Sequence, residues 1–210
     1  MRQRLPLLMT LLVALLCVGQ PASARQVKPI QPLALPAGQP VHITGMDLEF
    51  APQMLEELAE SDAKAARERA ERGLPALDPA SYPTGPWDGS RYATMPFKQM
   101  FPLVIRDVTR DWGLDSGTPV FLRITLDRLK TAGAAVAILI ASSSDMLEGN
   151  VDVIDAGNGQ SLGAFRIEVR NTHDGWAQML IRGGGIREKL AEEFGLELSR
   201  HISGRKKKAG

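Results

Sequence analysis

The amino-acid sequence predicts an α+β fold: a two-layer sandwich with an antiparallel sheet of four to five strands covered by helices, behind a cleaved N-terminal signal peptide. Three observations predict it. Runs of apolar–polar alternation cluster between residues 120 and 170, the pattern of half-buried strands. Segments with helical spacing flank them, and the last carries a stripe wide enough to cover one sheet face. The order strand, helix, helix, strands, helix is that of a layered α+β domain.

Residues 1–24 carry the leader. Arg2 and Arg4 precede the apolar run Leu5–Val18, Gly19-Gln20-Pro21 breaks it, and Ala22-Ser23-Ala24 supplies an A-x-A ending. The apolar run is too short for a membrane-spanning helix, which needs roughly 20 residues. Cleavage after Ala24 puts the mature start at Arg25 and the protein in the periplasm. An uncleaved signal anchor is the rival. Cys17 is the only cysteine. Leu15-Leu16 stand before it, where a lipid-bearing cysteine needs a small residue, so it reads as part of the discarded leader and the chain as not a lipoprotein. The mature chain then has no disulfide and must be held by packing.

Residues 25–40, with Pro29, Pro32, Pro36 and Pro40, read as a Pro-rich extended arm. A single α+β domain is expected over 41–203, with a loop insertion at 74–95 and a basic flexible tail at 204–210. Val41–Phe50 is the first strand, with Gly45 at a bulge. Pro52 opens a helix. Its stripe is Met54, Leu55, Leu58, Ala59, Ala66 and Ala70, and Gly73 is its C-cap. The loop insertion holds Tyr82, Trp87 and Tyr92, aromatics suited either to anchoring a partner or to pinning the loop on its own domain. Pro96–Trp112 is helical, with Phe97, Phe101, Val104, Val108 and Trp112 on one face and a kink or fresh start at Pro102.

Val120–Asp127 alternates as a strand. Ala134–Ala141, apolar on both faces, reads as a second, central one. Leu147–Val153 and Phe165–Arg170 follow, joined through the turn Asp155-Ala156-Gly157-Asn158-Gly159, completing an antiparallel meander. The last helix, about Ile186–Ile202, carries Ile186, Leu190, Phe194, Leu198 and Ile202 on one stripe, while Glu188, Glu192, Glu193, Glu197 and Arg200 face away.

The chain has 25 basic and 24 acidic residues, and the leader takes two of the basic ones. Arg205, Lys206, Lys207 and Lys208 concentrate positive charge at the end, leaving a mildly acidic body. That is no nucleic-acid footprint. The tail reads as a solvated end, with peripheral membrane contact as its alternative. His42, His173 and His201 lie far apart with no second ligand at metal spacing, so neither a metal nor a cofactor is expected. His173-Asp174 reads as a loop pair. Ser142 to Ser144 sit in no nucleophile elbow. Gly183-Gly184-Gly185, between Arg182 and Arg187, reads as a joint before the last helix or as an anion-binding turn.

The runs VFLRITLDRLKTAG, LEGNVDVIDAGNGQSLGAF and RGGGIREKLAEEFGLELSRHI resemble small, mostly uncharacterised envelope proteins of Gram-negative bacteria. The shared elements are the turn Asp155, Ala156, Gly159, Leu162, Gly163 and the helix residues Leu190, Ala191, Phe194. The resemblance covers roughly Pro119 to Ile202. It implies an accessory domain of the kind seen in the TolB N-terminal region and in transport-auxiliary lipoproteins, and it implies no catalytic residues. The expected role is therefore an exported, non-enzymatic accessory protein that binds another envelope protein. Two alternatives stand beside it: a small-ligand or lipid carrier with a cavity lined by Phe97, Phe101, Val104 and Phe165, and a hydrolase of unrecognised type.

Overall fold

The computed structural model describes residues 25–35, 39–71, 73, 92, 95–110, 112–114, 116–131, 143–173 and 186–204. The elements are β1 (Arg25–Gln31), β2 (Val41–Phe50), a 3-10 turn at Pro52–Met54, α1 (Leu55–Glu71), α2 (Phe97–Arg110), β3 (Thr118–Lys130), β4 (Ser143–Asp155), β5 (Ser161–His173) and α3 (Ile186–Ser203). One five-stranded sheet has the order β1-β5-β4-β3-β2. It is an α+β fold.

The sheet is mixed, which corrects the expectation of a wholly antiparallel one. β2 and β3 are parallel, while β3, β4, β5 and β1 run alternately. The cause lies between β2 and β3. α1 and α2 carry the chain back to the end where β2 began, and only such a long crossover allows a parallel neighbour. Residues 25–31 are not an arm but a paired strand, a second correction. β1 lies at the sheet edge, in register from Arg25↔Val169 to Pro29↔Phe165. An edge is where a strand tolerates a proline, because one row of its amides needs no partner. The segment Ala134–Ala141 lies outside the described residues, and β3 pairs directly with β4.

The inward residues of the sheet form rows. Ile124, Val151 and Phe165 stand side by side across β3, β4 and β5, and Leu122 faces Val153 in the next row. All are fully buried in one core cluster with α2 and α3. α2 supplies Phe97, Phe101, Val104 and Val108 to it, as the spacing predicts, and runs on through Pro102. In α1 the buried stripe is Met54, Leu58 and Ala65, whereas Leu55, Ala59, Ala66 and Ala70 are exposed. The four-residue step after Met54, not the adjacent Leu55, sets the buried line.

α3 departs furthest from expectation. Glu188, Glu193 and Glu197 are buried, not solvated. The helix is sandwiched between the sheet and α2, so it has little free surface. At the crossing, a Cβ on Gly195 would stand 3.1 Å from Ile105 Cδ1, so glycine permits the close approach of the two helices. The buried carboxylates are compensated. Glu188 Oε1 accepts the Tyr92 backbone N–H at 2.6 Å. Glu193 and Glu197 pair with Arg25.

Replacing Phe165 with alanine should lower unfolding free energy by about 3–5 kcal/mol, read by chemical denaturation, because a fully buried ring leaves a cavity under α3. His201 meets that ring at a tilt, with centroids 4.3 Å apart, and burial pushes its imidazole below the ordinary value. The neutral form is the one that folds best. Stability from this group is complete above about pH 6.5 and is lost as pH falls below it. His201→Phe should therefore flatten the decline of melting temperature between about pH 7 and pH 5.

Candidate interaction surface

The helices bury one sheet face, and among the described residues no helix covers the other. The open face carries the polar half of each alternating strand. A bulge in β3 between Leu126 and Arg128 adds a residue, so both Asp127 and Arg128 reach this face. Across the strands stand Glu148 and Asn150 from β4, Arg166, Glu168 and Arg170 from β5, and Lys28 from β1.

Glu148 and Glu168 lie directly opposite one another, each only 7% exposed. Two carboxylates so placed repel, and the surrounding cations offset this. Arg166 grips Asp127 with both nitrogens, Nη1 to Oδ2 at 2.5 Å and Nη2 to Oδ1 at 2.9 Å, and also donates to Glu148 Oε2 at 2.5 Å. Arg128 approaches Glu148 from the far side at 3.7 Å. Glu168 pairs with Lys28 at 3.4 Å and with Arg170. Desolvation opposes ionisation of Glu168, but Arg170 and then Lys28 overcome it and hold the carboxyl below its ordinary range. The Asp127 hydrogen bond, and then Glu148, outweigh desolvation and raise Arg166 further above its ordinary value.

At one end of this face lies an open groove of about 560 Å³, lined by Thr44, Phe121, Arg123, Asp152, Ile154, Asp155 and Ser161 among others. Arg123 is exposed there, and its side chain makes no hydrogen bond or ion pair with any described residue. Its register neighbours are Asp47 on β2 and Asp152 on β4. Asp152 instead accepts the Ser161 hydroxyl at 2.7 Å. Asp155 is turned into its own loop, accepting the amides of Gly157 at 2.7 Å and Asn158 at 3.2 Å. The groove thus presents a free guanidinium fork beside a partly buried aromatic ring.

The residues singled out in the sequence fall elsewhere. Tyr92 is fully buried, and its hydroxyl donates to Asp107 Oδ2 at 2.8 Å. Tyr92 is thereby tied to α2, which fits the self-packing alternative of its two expected roles and not the partner anchor. Tyr82 and Trp87 lie outside the described residues, as do Arg182, Gly183, Gly184, Gly185 and the tail residues Arg205, Lys206, Lys207 and Lys208. Arg187 is buried and committed. It donates to Asp62 Oδ1 at 2.7 Å, Ser61 Oγ at 3.0 Å and the Met95 carbonyl at 2.7 Å, so its fork is turned into the fold instead of toward an anion.

Phe97, Phe101, Val104 and Phe165, expected to line a ligand cavity, are packed core. The Phe97 and Phe101 centroids are 5.6 Å apart, and Phe101 meets Phe194 edge-on at 5.4 Å. Among the described residues no group of three or more His, Cys, Asp or Glu could hold a metal ion, and no helix is long and apolar enough to cross a membrane. The signal for Arg123, Asp127, Glu148 and Arg166 was present as the outward half of each alternation. It lacked the register that sets them side by side.

Fold and surface together define an α+β domain with one helix-covered and one open, charged sheet face. No protein-family model matches the chain, and no curated protein is similar to it in sequence. Among solved structures, protein XCC0632 from Xanthomonas campestris, of family DUF330, is 12% identical over 84% of this chain and 94% of its own, with a TM-score of 0.43. The PelC dodecamer from Paraburkholderia phytofirmans is 13% identical over 84% of this chain and 96% of its own, with a TM-score of 0.38. A lipoprotein from Caulobacter crescentus is 17% identical over 50% of this chain and 81% of its own, with a TM-score of 0.33. At these scores the likenesses assign neither family nor function.

Arg166→Ala should destabilise the domain by about 1–3 kcal/mol in denaturant unfolding, since it removes the cation of Asp127 and leaves the buried Glu148 with only the longer Arg128 contact. Arg166→Lys should recover only part of this loss, because an ammonium cannot reproduce the two-pronged grip on Asp127.

Proposed function

We propose that the protein is an exported, non-enzymatic accessory protein of the cell envelope that binds another envelope protein through the open face of its sheet. The observation that carries this reading is the state of the charges on that face. Asp127, Arg128, Glu148, Arg166, Glu168, Arg170 and Lys28 are paired with one another, whereas the Arg123 side chain has no partner among the described residues and stands in a groove beside Phe121. Catalytic groups need perturbed carboxylates, histidines or nucleophiles converging on a pocket. A face of internally neutralised charge around one free arginine and an aromatic ring has instead the composition of a binding hot spot. The leader supports the envelope location, and the C-terminal resemblance to TolB-like and transport-auxiliary domains supports the accessory role.

A photo-crosslinking residue placed at Arg123 or Thr125 in cells should capture one envelope protein, while the same residue at exposed Glu60 on α1 should not. Arg123→Glu should weaken co-purification of that partner by about tenfold or more with the melting temperature nearly unchanged, the signature of a lost hot-spot cation. Capture from Glu60 and not from Arg123 would move the binding site to the helical side. Turnover of a hydrolase substrate panel by the purified protein would sink the non-enzymatic reading.

A further inference from the structure

β1 begins at Arg25, the residue that follows the A-x-A ending of the leader. No spacer separates the two. Arg25 is already in register with Val169, and Gln26, Val27, Lys28 and Pro29 follow with Glu168, Ile167, Arg166 and Phe165. The strand is also held through side chains. The Arg25 guanidinium pairs with buried Glu193 and, at 3.9 Å, with buried Glu197 of α3. Lys28 pairs with Glu168. Beyond the strand the Ala34 amide donates to the Leu162 carbonyl at 2.6 Å, and Leu33 packs over Gly163, whose φ of +146° and lack of a Cβ leave room for it.

A peptidase binds its substrate as an extended segment across the scissile bond, satisfying backbone donors and acceptors on both sides of it. Here one row of backbone groups of the residues after the bond is already taken by β5, and Arg25 is clamped by α3. We infer that docking of β1 closes the processing site: once the sheet has formed, the Ala24–Arg25 bond is withdrawn from the peptidase, so leader removal must come before β1 docks. This rests on the reading of residues 1–24 as a cleaved leader. The Arg25 clamp then acts as a latch. It commits the chain either to release, if cleavage came first, or to a folded domain held by its leader, if β1 docked first. Cleavage of the folded precursor needs β1 to peel away, a local opening whose population sets the rate.

The test uses the full chain, folded in detergent micelles, and a synthetic peptide of residues 10–35, both exposed to purified signal peptidase and read by intact mass. The peptide should be cut between Ala24 and Arg25, the folded chain at least about tenfold more slowly, and Glu193→Gln/Glu197→Gln should bring the chain back toward the peptide rate. If that double variant does not fold, hydrogen exchange at Val27 and Lys28 of the unaltered chain gives the opening population, and the cleavage rate must scale with it. A folded chain cut as fast as the peptide overturns the latch and leaves the leader reading standing. A peptide that is not cut at Ala24 overturns both.

Discussion

The close crossing of α2 and α3 at Gly195 is the constraint from which most of the structure follows. With no side chain there, Ile105 and Val108 approach the α3 backbone, and Phe101 can meet Phe194 edge-on at 5.4 Å. Such aromatic pairs add about 0.5–1.5 kcal/mol beyond their buried area. The larger consequence is geometric. A helix pressed between a sheet and a second helix has no solvent face wide enough for its charges, so Glu188, Glu193 and Glu197 are enclosed. An enclosed carboxylate must find partners or it costs the fold several kcal/mol. Those partners come from distant parts of the chain. The Tyr92 amide reaches Glu188, Arg25 reaches Glu193 and Glu197, and Lys189 and Arg200 add local pairs. For Lys189 the carboxylates of Glu192 and Glu193 outweigh desolvation and hold its ammonium above the ordinary range, so it stays charged where the pairing needs it. The helix crossing therefore determines where the N-terminal strand and Tyr92 are tied down.

Much of the architecture was legible in the sequence because its signals are local. Val120, Leu122, Ile124 and Leu126 alternate without interruption and form β3. The turn at Asp155–Gly159 joins β4 to β5 with the Asp155 side chain capping it. Ile186 to Ile202 is one helix. Phe97, Phe101, Val104 and Val108 point together into the core. What was not legible depends on pairing between remote segments. Four prolines in residues 25–40 disguise β1, since Pro29 argues against a strand unless the strand is at an edge, and edges are a property of the whole sheet. The parallel pairing of β2 with β3 likewise depends on where α1 and α2 deliver the chain, which no residue of β2 encodes.

The candidate surface divides the same way. Alternation alone assigns Arg123, Asp152, Arg166 and Glu168 to outward positions. Only the register brings Arg166 within reach of both Asp127 and Glu148, and only the bulge after Leu126 lets Arg128 share the outward face with Asp127. The aromatics that stood out in composition were a poorer guide. Tyr92 is large and sits in a turn-rich segment, yet its hydroxyl meets buried Asp107, which Arg106 and Arg110 also hold. A tyrosine that carries a polar tip into the interior does so where a buried acceptor awaits it, and the acceptor here is 15 residues further along the chain.

The pairing on the open face also bears on how it would bind. Covering a bare charge with a partner means stripping its water, and the cost often exceeds what a new contact returns. On this face Asp127, Glu148 and Glu168 already have their cations within the same molecule, so covering them leaves the pairs intact and requires little new compensation from the partner. Arg123 is different. Flanked by Asp47 and Asp152 but bonded to neither, it offers a planar fork that a carboxylate can meet with two parallel hydrogen bonds. The two acids beside it would repel a carboxylate approaching off-axis. On the proposed reading, that combination would confer selectivity more than strength, because a partner would have to place its acid over the guanidinium and an apolar side chain over Phe121 to gain from both.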